Sequence, residues 1–86
     1  MNDEVTYPQY RKYLNEKVFF QIISNNEWEE IQIVGSNYLQ HRFTVKIMPD
    51  RNLLYDMTFN YERNWVKIDA HEYEKIKSNV KLTETK

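Results

Sequence analysis

Polar and apolar residues alternate along much of the chain between residues 17 and 68, with the period of two that is typical of β-strands. The clearest segment is YLQHRFTVKIM, in which Leu39, Phe43 and Ile47 share one side and most residues between them are polar. Four more segments, KVFFQIIS, WEEIQIV, LLYDMTF and WVKI, are rich in aliphatic and aromatic residues. The pattern therefore predicts five short antiparallel strands that follow one another as a meander.

A helical pattern flanks these strands on each side. Thr6 and Gln9 are three residues apart, as in a capping box, and aromatic residues follow at helical spacing, which predicts a helix over residues 5–16. Asp69 stands three residues before a glutamate in the same arrangement. It predicts a second helix over residues 69–81.

The loop lengths follow from which residues would face each other across a hairpin. A three-residue loop at 35–37, which contains the single glycine, sets Ile33 opposite Leu39 on one face and Glu30 opposite Arg42 on the other. A two-residue loop would mix apolar and polar residues on both faces. We therefore expect the three-residue loop.

The next hairpin, with PDRN as its turn, is predicted by the same reasoning. Pairing Lys46 with Asp56 also brings Phe43 opposite Phe59, so both hairpins agree on which face is inside. The expected fold is α+β and rich in β-structure: an N-terminal helix, a five-strand antiparallel meander and a C-terminal helix. The meander would form a small, strongly bent sheet or a partly open barrel.

SH3-like and Sm-like barrels have this number of elements and strands of this length, and the likeness is one of element order alone. Their short irregular link before the last strand would correspond to the segment NYERN. The rival architecture is an open antiparallel sheet with both helices on one face.

Length and composition predict one domain over residues 1–86, with the meander at 17–68 and frayed ends at 1–4 and 82–86. A chain of 86 residues is near the size at which one core only just offsets chain entropy. Apolar residues make up 41% of the chain and aromatic residues 15%, so Tyr, Phe and Trp must build much of the core.

Charge and cysteine usage exclude several classes of protein. A net charge of −1 argues against a general nucleic-acid coat protein, and it is too close to neutral for a DNA mimic. The absence of cysteine excludes disulfides, thiol nucleophiles and thiolate metal sites. No apolar run approaches the length of a membrane span, and the acidic, polar N-terminus is unlike a secretory signal. We expect a cytoplasmic protein that does not bind membranes.

Catalytic and metal-binding patterns are not found. His41 falls on the apolar side of its predicted strand and His71 in the first turn of a helix, without the spacing of a metal site. The serines lack a nucleophile motif, a single glycine cannot build a phosphate loop, and the neighbouring carboxylates do not face each other. We expect no cofactor, no metal and no small-molecule substrate, and an enzyme is the least favoured reading.

Binding of a protein partner is the leading functional hypothesis. The outer face of the second to fourth predicted strands carries residue types that are enriched in binding hot spots. The candidate partner-binding residues are Trp28, Tyr38, Arg42 and Lys46. The partner could be a second copy of the chain, because short-stranded barrels often pair their edges. Together with a residue usage typical of AT-rich genes, this predicts a small modulator or inhibitor from a phage or a low-GC bacterium.

The alternative is a small β-barrel that binds single-stranded nucleic acid. Aromatic residues interleaved with basic ones can stack on bases and contact phosphates. The residues of this pattern are Arg51, Tyr61, Arg63, Trp65 and Lys67. This hypothesis depends on whether Trp65 faces the core or the solvent.

Overall fold

A computed structural model describes residues 5–80 of the chain, so the predicted frayed ends at 1–4 and 82–86 lie outside the described residues. It contains one antiparallel sheet and two α-helices, with a short 3-10 helix before the last strand. The elements are β1 (Gln9–Tyr13), β2 (Val18–Ser24), β3 (Glu27–Val34), β4 (Asn37–Thr44), α1 (Met48–Phe59), the 3-10 helix (Tyr61–Arg63), β5 (Trp65–Ile68) and α2 (Ala70–Lys77).

The sheet has the strand order β4-β3-β2-β1-β5 and is open, with β4 and β5 at its two edges. The expected five-strand antiparallel sheet is therefore present, but it does not form the partly open barrel that was one of its two expected shapes. The first four strands form a meander, and the chain then crosses through α1 to place β5 beside β1. No helix within residues 5–80 is long and apolar enough to span a lipid bilayer.

The two helices cover opposite faces of the sheet. This follows from two consecutive residues of β2, whose side chains point to opposite sides. Phe20 packs in one cluster with Leu54 of α1, whereas Phe19 packs in another with Tyr73 of α2. Of the rival architecture, the open antiparallel sheet is thus confirmed, whereas the placement of both helices on one face is wrong. The α1-side cluster consists of Phe20, Ile22, Trp28, Leu54, Met57 and Trp65, and the α2-side cluster of Phe19, Ile31, Tyr73 and Val80.

The first element is a strand rather than the helix predicted over residues 5–16. β1 lies between β2 and β5, with Tyr10 paired to Gln21 on one side and to Ile68 on the other. The ring of Tyr10 packs on Tyr73 at 5.3 Å between centroids, on the face covered by α2. Tertiary pairing on both sides of β1 outweighs the local capping pattern that favoured a helix.

The hairpin between β3 and β4 has the two-residue loop that the sequence analysis rejected. Val34 pairs with Asn37, and consequently Gln32, not Ile33, lies opposite Leu39. Gly35 has a φ of +63°, which suits the first position of a type II′ turn. The predicted register is wrong by one residue, because turn geometry prevails over the matching of side-chain types at an edge where both faces are partly exposed.

The segment predicted as a turn and a fourth strand is the helix α1. Pro49 lies in its first turn, and the Asp50 carboxylate accepts the backbone N–H groups of Lys46 and Ile47, so the residues that suit a turn here start a helix. The predicted pairing of Phe43 with Phe59 does not form. The buried residues of α1 are Leu54, Met57 and Thr58, which follow the helical spacing of three and four.

Three predicted strands and the start of the C-terminal helix are confirmed; that helix ends at Lys77, before the predicted residue 81. The predicted strands around β2, β3 and β5 are present, and α2 begins after Asp69, whose carboxylate accepts the backbone N–H of Glu72 at 2.9 Å. The strand predicted over Tyr38–Met48 is present as β4 but ends at Thr44.

Candidate functional site

β4 is an edge strand of eight residues, and alternate residues direct their backbone groups away from β3. Val45 donates its backbone N–H to the carbonyl of Asn26 at 2.8 Å, in the register that also pairs β3 with β4. Since hydrogen-bonding groups alternate sides along an antiparallel strand, Gln40, Arg42 and Thr44 direct their N–H and C=O groups away from β3. No strand of the described part of the chain lies on that side.

Apolar side chains accompany this edge on the face that also carries α1. Leu39 and Phe43 belong to β4 and are 41% and 37% exposed, and the ring of Phe43 stacks on Trp28 at 5.1 Å between centroids. Ile47 and Met48 follow β4 in the sequence, at the start of α1, and are 60% and 66% exposed. Exposed apolar side chains grouped beside an open edge are typical of interaction sites. We call the outer side of β4 together with Leu39, His41 and Phe43 the β4 edge.

On the other face, a polar network fixes the side chains of β4. The carboxylate of Glu29 is buried and accepts hydrogen bonds from the Tyr73 hydroxyl at 2.8 Å and from the Gln40 amide. Lys77 Nζ lies 3.3 Å from the same carboxylate, and Arg42 Nη2 lies 3.8 Å from it. The network holds Gln40 and Arg42 by their side chains and leaves their backbone groups at the open side of the strand.

The electrostatics of this network favour a charged Glu29. Burial alone would raise the pKa of Glu29, but the hydrogen bonds from Tyr73 and Gln40 and the charge of Lys77 outweigh it, and the pKa lies below its ordinary value. Burial, followed by the hydrogen bond to Glu29, raises the pKa of Tyr73 far above its usual range. The phenol therefore stays a donor and the carboxylate an acceptor.

The predicted partner-binding residues are divided between the two faces. Trp28 is only 2% exposed and packs in the α1-side cluster, so the expectation that it lies on an exposed face is wrong. Tyr38 is half-buried against the α2-side cluster, and Arg42 lies on that same face, where it pairs with Glu27 at 3.4 Å. Lys46 is exposed beyond the end of β4. Arg42, in the middle of β4, contributes to the β4 edge through its backbone.

The residues predicted to bind nucleic acid do not form one aromatic surface. Trp65 is buried in the α1-side cluster, and the ring of Tyr61 lies beneath the guanidinium of Arg11 at 4.1 Å. The basic residues Arg51, Arg63 and Lys67 are exposed and line three different surface cavities. Nucleic-acid binding stays a prediction.

His41 and its neighbouring carboxylate are the residues that bear on acid–base chemistry in the described part of the chain. Glu30 pairs across the sheet with His41, and burial raises the pKa of Glu30 while the nearby His41 opposes that shift. His41 itself is exposed on an edge strand, and it lines none of the four cavities described. Within residues 5–80, no three His, Asp or Glu side chains are grouped to hold a metal ion.

The β4 edge is not predicted from the sequence, because the predicted meander continues through the segment that forms α1. A strand at LLYDMTF would pair with β4 and make β4 an inner strand of the sheet. The available signal was the pair Pro49 and Asp50, which suits the start of a helix as well as a turn. A helix there would have made β4 the last strand of the meander and hence an edge.

Comparisons with other proteins identify no relative: no family model matches the chain, and no curated protein or solved structure is significantly similar to it.

Proposed function

We propose that this protein is a protein-interaction module that binds by accepting a β-strand along the β4 edge. It acts by binding rather than by catalysis, as a modulator or inhibitor of its partner would. The observation that carries the proposal is the eight-residue edge strand, whose outward backbone groups are accompanied by exposed Leu39 and Phe43. Backbone hydrogen bonds supply affinity in this mode of recognition, and alternate side chains supply specificity.

Support also comes from how little the edge is protected. Natural edge strands are blunted by Pro, by inward-pointing charges, by bulges or by short length. β4 contains no proline, pairs with β3 over its whole length without a bulge, and has Arg42 as its one charged side chain apart from His41. Arg42 lies on the face opposite Leu39 and Phe43 and is already paired with Glu27 and Glu29.

The edge is also rigidly supported, which lowers the entropic cost of binding. Trp28 packs beneath Phe43 on one face, and the Glu29 network holds Gln40 and Arg42 on the other. A strand that docks here therefore meets backbone groups that are already in place.

The test is a comparison of Arg42→Pro with Arg42→Ala. Proline removes the outward N–H of residue 42 and places its ring at the open side, while the hydrogen bonds between β3 and β4 are kept. Alanine removes the same side chain and retains the N–H. The probe is a phage-displayed library of random linear peptides selected on the wild-type protein.

We expect selected peptides to carry apolar residues at alternate positions and to bind wild type and Arg42→Ala with similar affinity. Their affinity for Arg42→Pro should be at least about tenfold weaker. Thr44→Pro, at the end of β4, serves as a second variant, and circular dichroism verifies that each variant is folded. Peptides that bind both proline variants as tightly as the wild type would refute strand addition at this edge.

A further inference from the structure

The inference concerns the partner of the β4 edge and rests on the proposed function. An edge strand can pair with a copy of itself across a two-fold axis that is normal to the sheet. The two sheets then continue each other, and the same face of both copies lies on the same side of the joined sheet. Directly opposed residues must therefore share a face, so one residue of the strand lies opposite its own copy and the axis passes between these two copies. The central choices for β4 are Gln40, His41 and Arg42.

Side-chain pairing separates these three registers. An axis at Arg42 opposes two guanidinium groups, and like charges directly opposite are destabilising. An axis at Gln40 sets Leu39 against His41 of the second copy. An axis at His41 sets Leu39 against Phe43 of the second copy, and the two-fold repeats that apolar pair on the other side of the axis.

Backbone geometry and charge are satisfied in the register centred on His41. Gln40 and Arg42 both direct their backbone groups outward, and this register makes them opposed hydrogen-bonded partners. Each Arg42 then faces a neutral amide, and its charge is already balanced by Glu27 at 3.4 Å and Glu29 at 3.8 Å within its own chain. The edge is thus complementary to itself in hydrogen bonding, apolar side chains and charge.

We infer that the chain forms a symmetric dimer in which two β4 strands pair antiparallel, with His41 on the two-fold axis and the two sheets joined into one. Leu39 and Phe43 are exposed in the single chain. In the dimer, Leu39 of each copy becomes the cross-strand neighbour of Phe43 of the other. The interface is confined to one strand and its flanking side chains, so the dimer is expected to dissociate on dilution.

Light scattering across a concentration range tests the association. We expect the mass of the wild type to rise from the 10.6 kDa of one chain toward twice that value. Arg42→Pro should stay at the mass of one chain, whereas Arg42→Ala should behave as the wild type does. A wild type that keeps the mass of one chain at every concentration overturns the inference.

Cysteine cross-linking tests the register, and the chain has no cysteine of its own to interfere. With the axis at His41, the two residues 41 form a non-hydrogen-bonded pair whose Cα atoms are about 4.5 Å apart, within disulfide reach. His41→Cys should therefore give a covalent dimer under mild oxidation. Leu39→Cys is the matched control on the same face, because two residues 39 would be about 14 Å apart along the strand.

Cross-linking through Leu39→Cys or Gln40→Cys in preference to His41→Cys overturns the register. The dimer can fail while the proposed function stands, since library peptides would then still bind an edge that Arg42→Pro blocks. The opposite failure is also visible: a cross-linked dimer without peptide binding would limit the edge to self-association.

Discussion

The Nε atom of Arg11 donates a hydrogen bond to the backbone carbonyl of Met57, 2.9 Å away, and so joins β1 to the last turn of α1. The same guanidinium contacts the carbonyl of Thr58 at 3.5 Å and lies over the ring of Tyr61. The last turn of α1 contains no basic residue, and a cation at this end of a helix is favourable to the helix dipole. Arg11 therefore acts as a cap supplied from another element.

Replacing Arg11 should lower the free energy of unfolding more than replacing an exposed arginine does. Arg11→Ala leaves the carbonyls of Met57 and Thr58 buried without this donor and removes a side chain that is only 1% exposed. We expect the free energy of unfolding to fall by about 3 kcal/mol or more. Arg63→Ala, at an exposed position, should change it by less than about 0.5 kcal/mol. Urea titrations followed by circular dichroism measure both, and equal losses would contradict the capping role.

The hydroxyl of Tyr73 should contribute to stability through Glu29. Tyr73→Phe keeps the ring in the α2-side cluster but removes one donor from a buried carboxylate, so we expect a loss of about 1–3 kcal/mol. Tyr55→Phe is the matched control, because Tyr55 is more than half exposed at 55%. Chemical denaturation of the two variants measures the difference. If Tyr73→Phe had the same free energy of unfolding as the wild type, the hydroxyl of Tyr73 would not contribute to stability.

Glu29 and its neighbour Glu30 should have opposite effects on the pH dependence of stability. The pKa of Glu29 is lowered in the folded state, so its contribution is complete above the ordinary pKa of 4.5 and is lost as the pH falls through the lower folded value. Glu29→Gln should flatten the decline of unfolding free energy below that pH.

The pKa of Glu30 is raised above the same ordinary value, because of burial. Its contribution is present below pH 4.5 and is lost as the pH rises through the higher folded value. Glu30→Gln should therefore remove a decline on the alkaline side of that pH and leave the acid side as steep as in the wild type. Denaturation series at graded pH compare the three proteins, and identical curves for the two variants would contradict the assigned shifts.

Gly35 should be required for its backbone conformation alone. Its φ of +63° is strained for residues with a side chain, and a Cβ at this position would meet no atom within 4 Å. Gly35→Ala should therefore cost about 1 kcal/mol, while Ser36→Ala in the same loop should be close to neutral. Thermal unfolding of the pair is sufficient, and equal melting temperatures would show that the turn conformation differs.

Both tryptophans should be shielded from water. Trp28 and Trp65 are 2% and 5% exposed. We expect their fluorescence to be quenched by aqueous iodide much less than that of free tryptophan. In Trp28→Phe the fluorescence comes from Trp65. Strong quenching by iodide in that variant would show that Trp65 is at the surface, as the predicted nucleic-acid-binding surface requires.

The sequence predicts well those elements whose pattern is local. β2 and β3 are rich in β-branched and aromatic residues, and the aspartate cap of α2 lies within one turn of the helix that it starts. β1 is not predicted as a strand, because its central residue is Arg11 and the partners of Arg11 in α1 are distant in sequence. A buried arginine in a central strand becomes intelligible only when Met57 and Thr58 are brought beside it.

α1 was missed for a different reason. LLYDMTF fits a period of two through Tyr55 and Phe59 as well as a helical period through Leu54 and Met57. In the structure, Tyr55 and Phe59 are one turn apart on the exposed side of α1, with ring centroids 4.8 Å apart. Their apolar character does not mark the core, and the candidate site at β4 could not be located until this segment was assigned to a helix.

The pairing of β1 with β5 has a consequence for synthesis of the chain. Tyr10, near the N-terminus, is the sheet partner of Ile68, so a ribosome must release residue 68 before β1 gains its second neighbour. The hairpins of β2, β3 and β4 join nearby residues and can close early, whereas the β1–β5 contact closes a long loop at greater entropic cost. Until then, β1 and β4 each have one unpaired side in the described part of the sheet, so two edges are open to other chains at once.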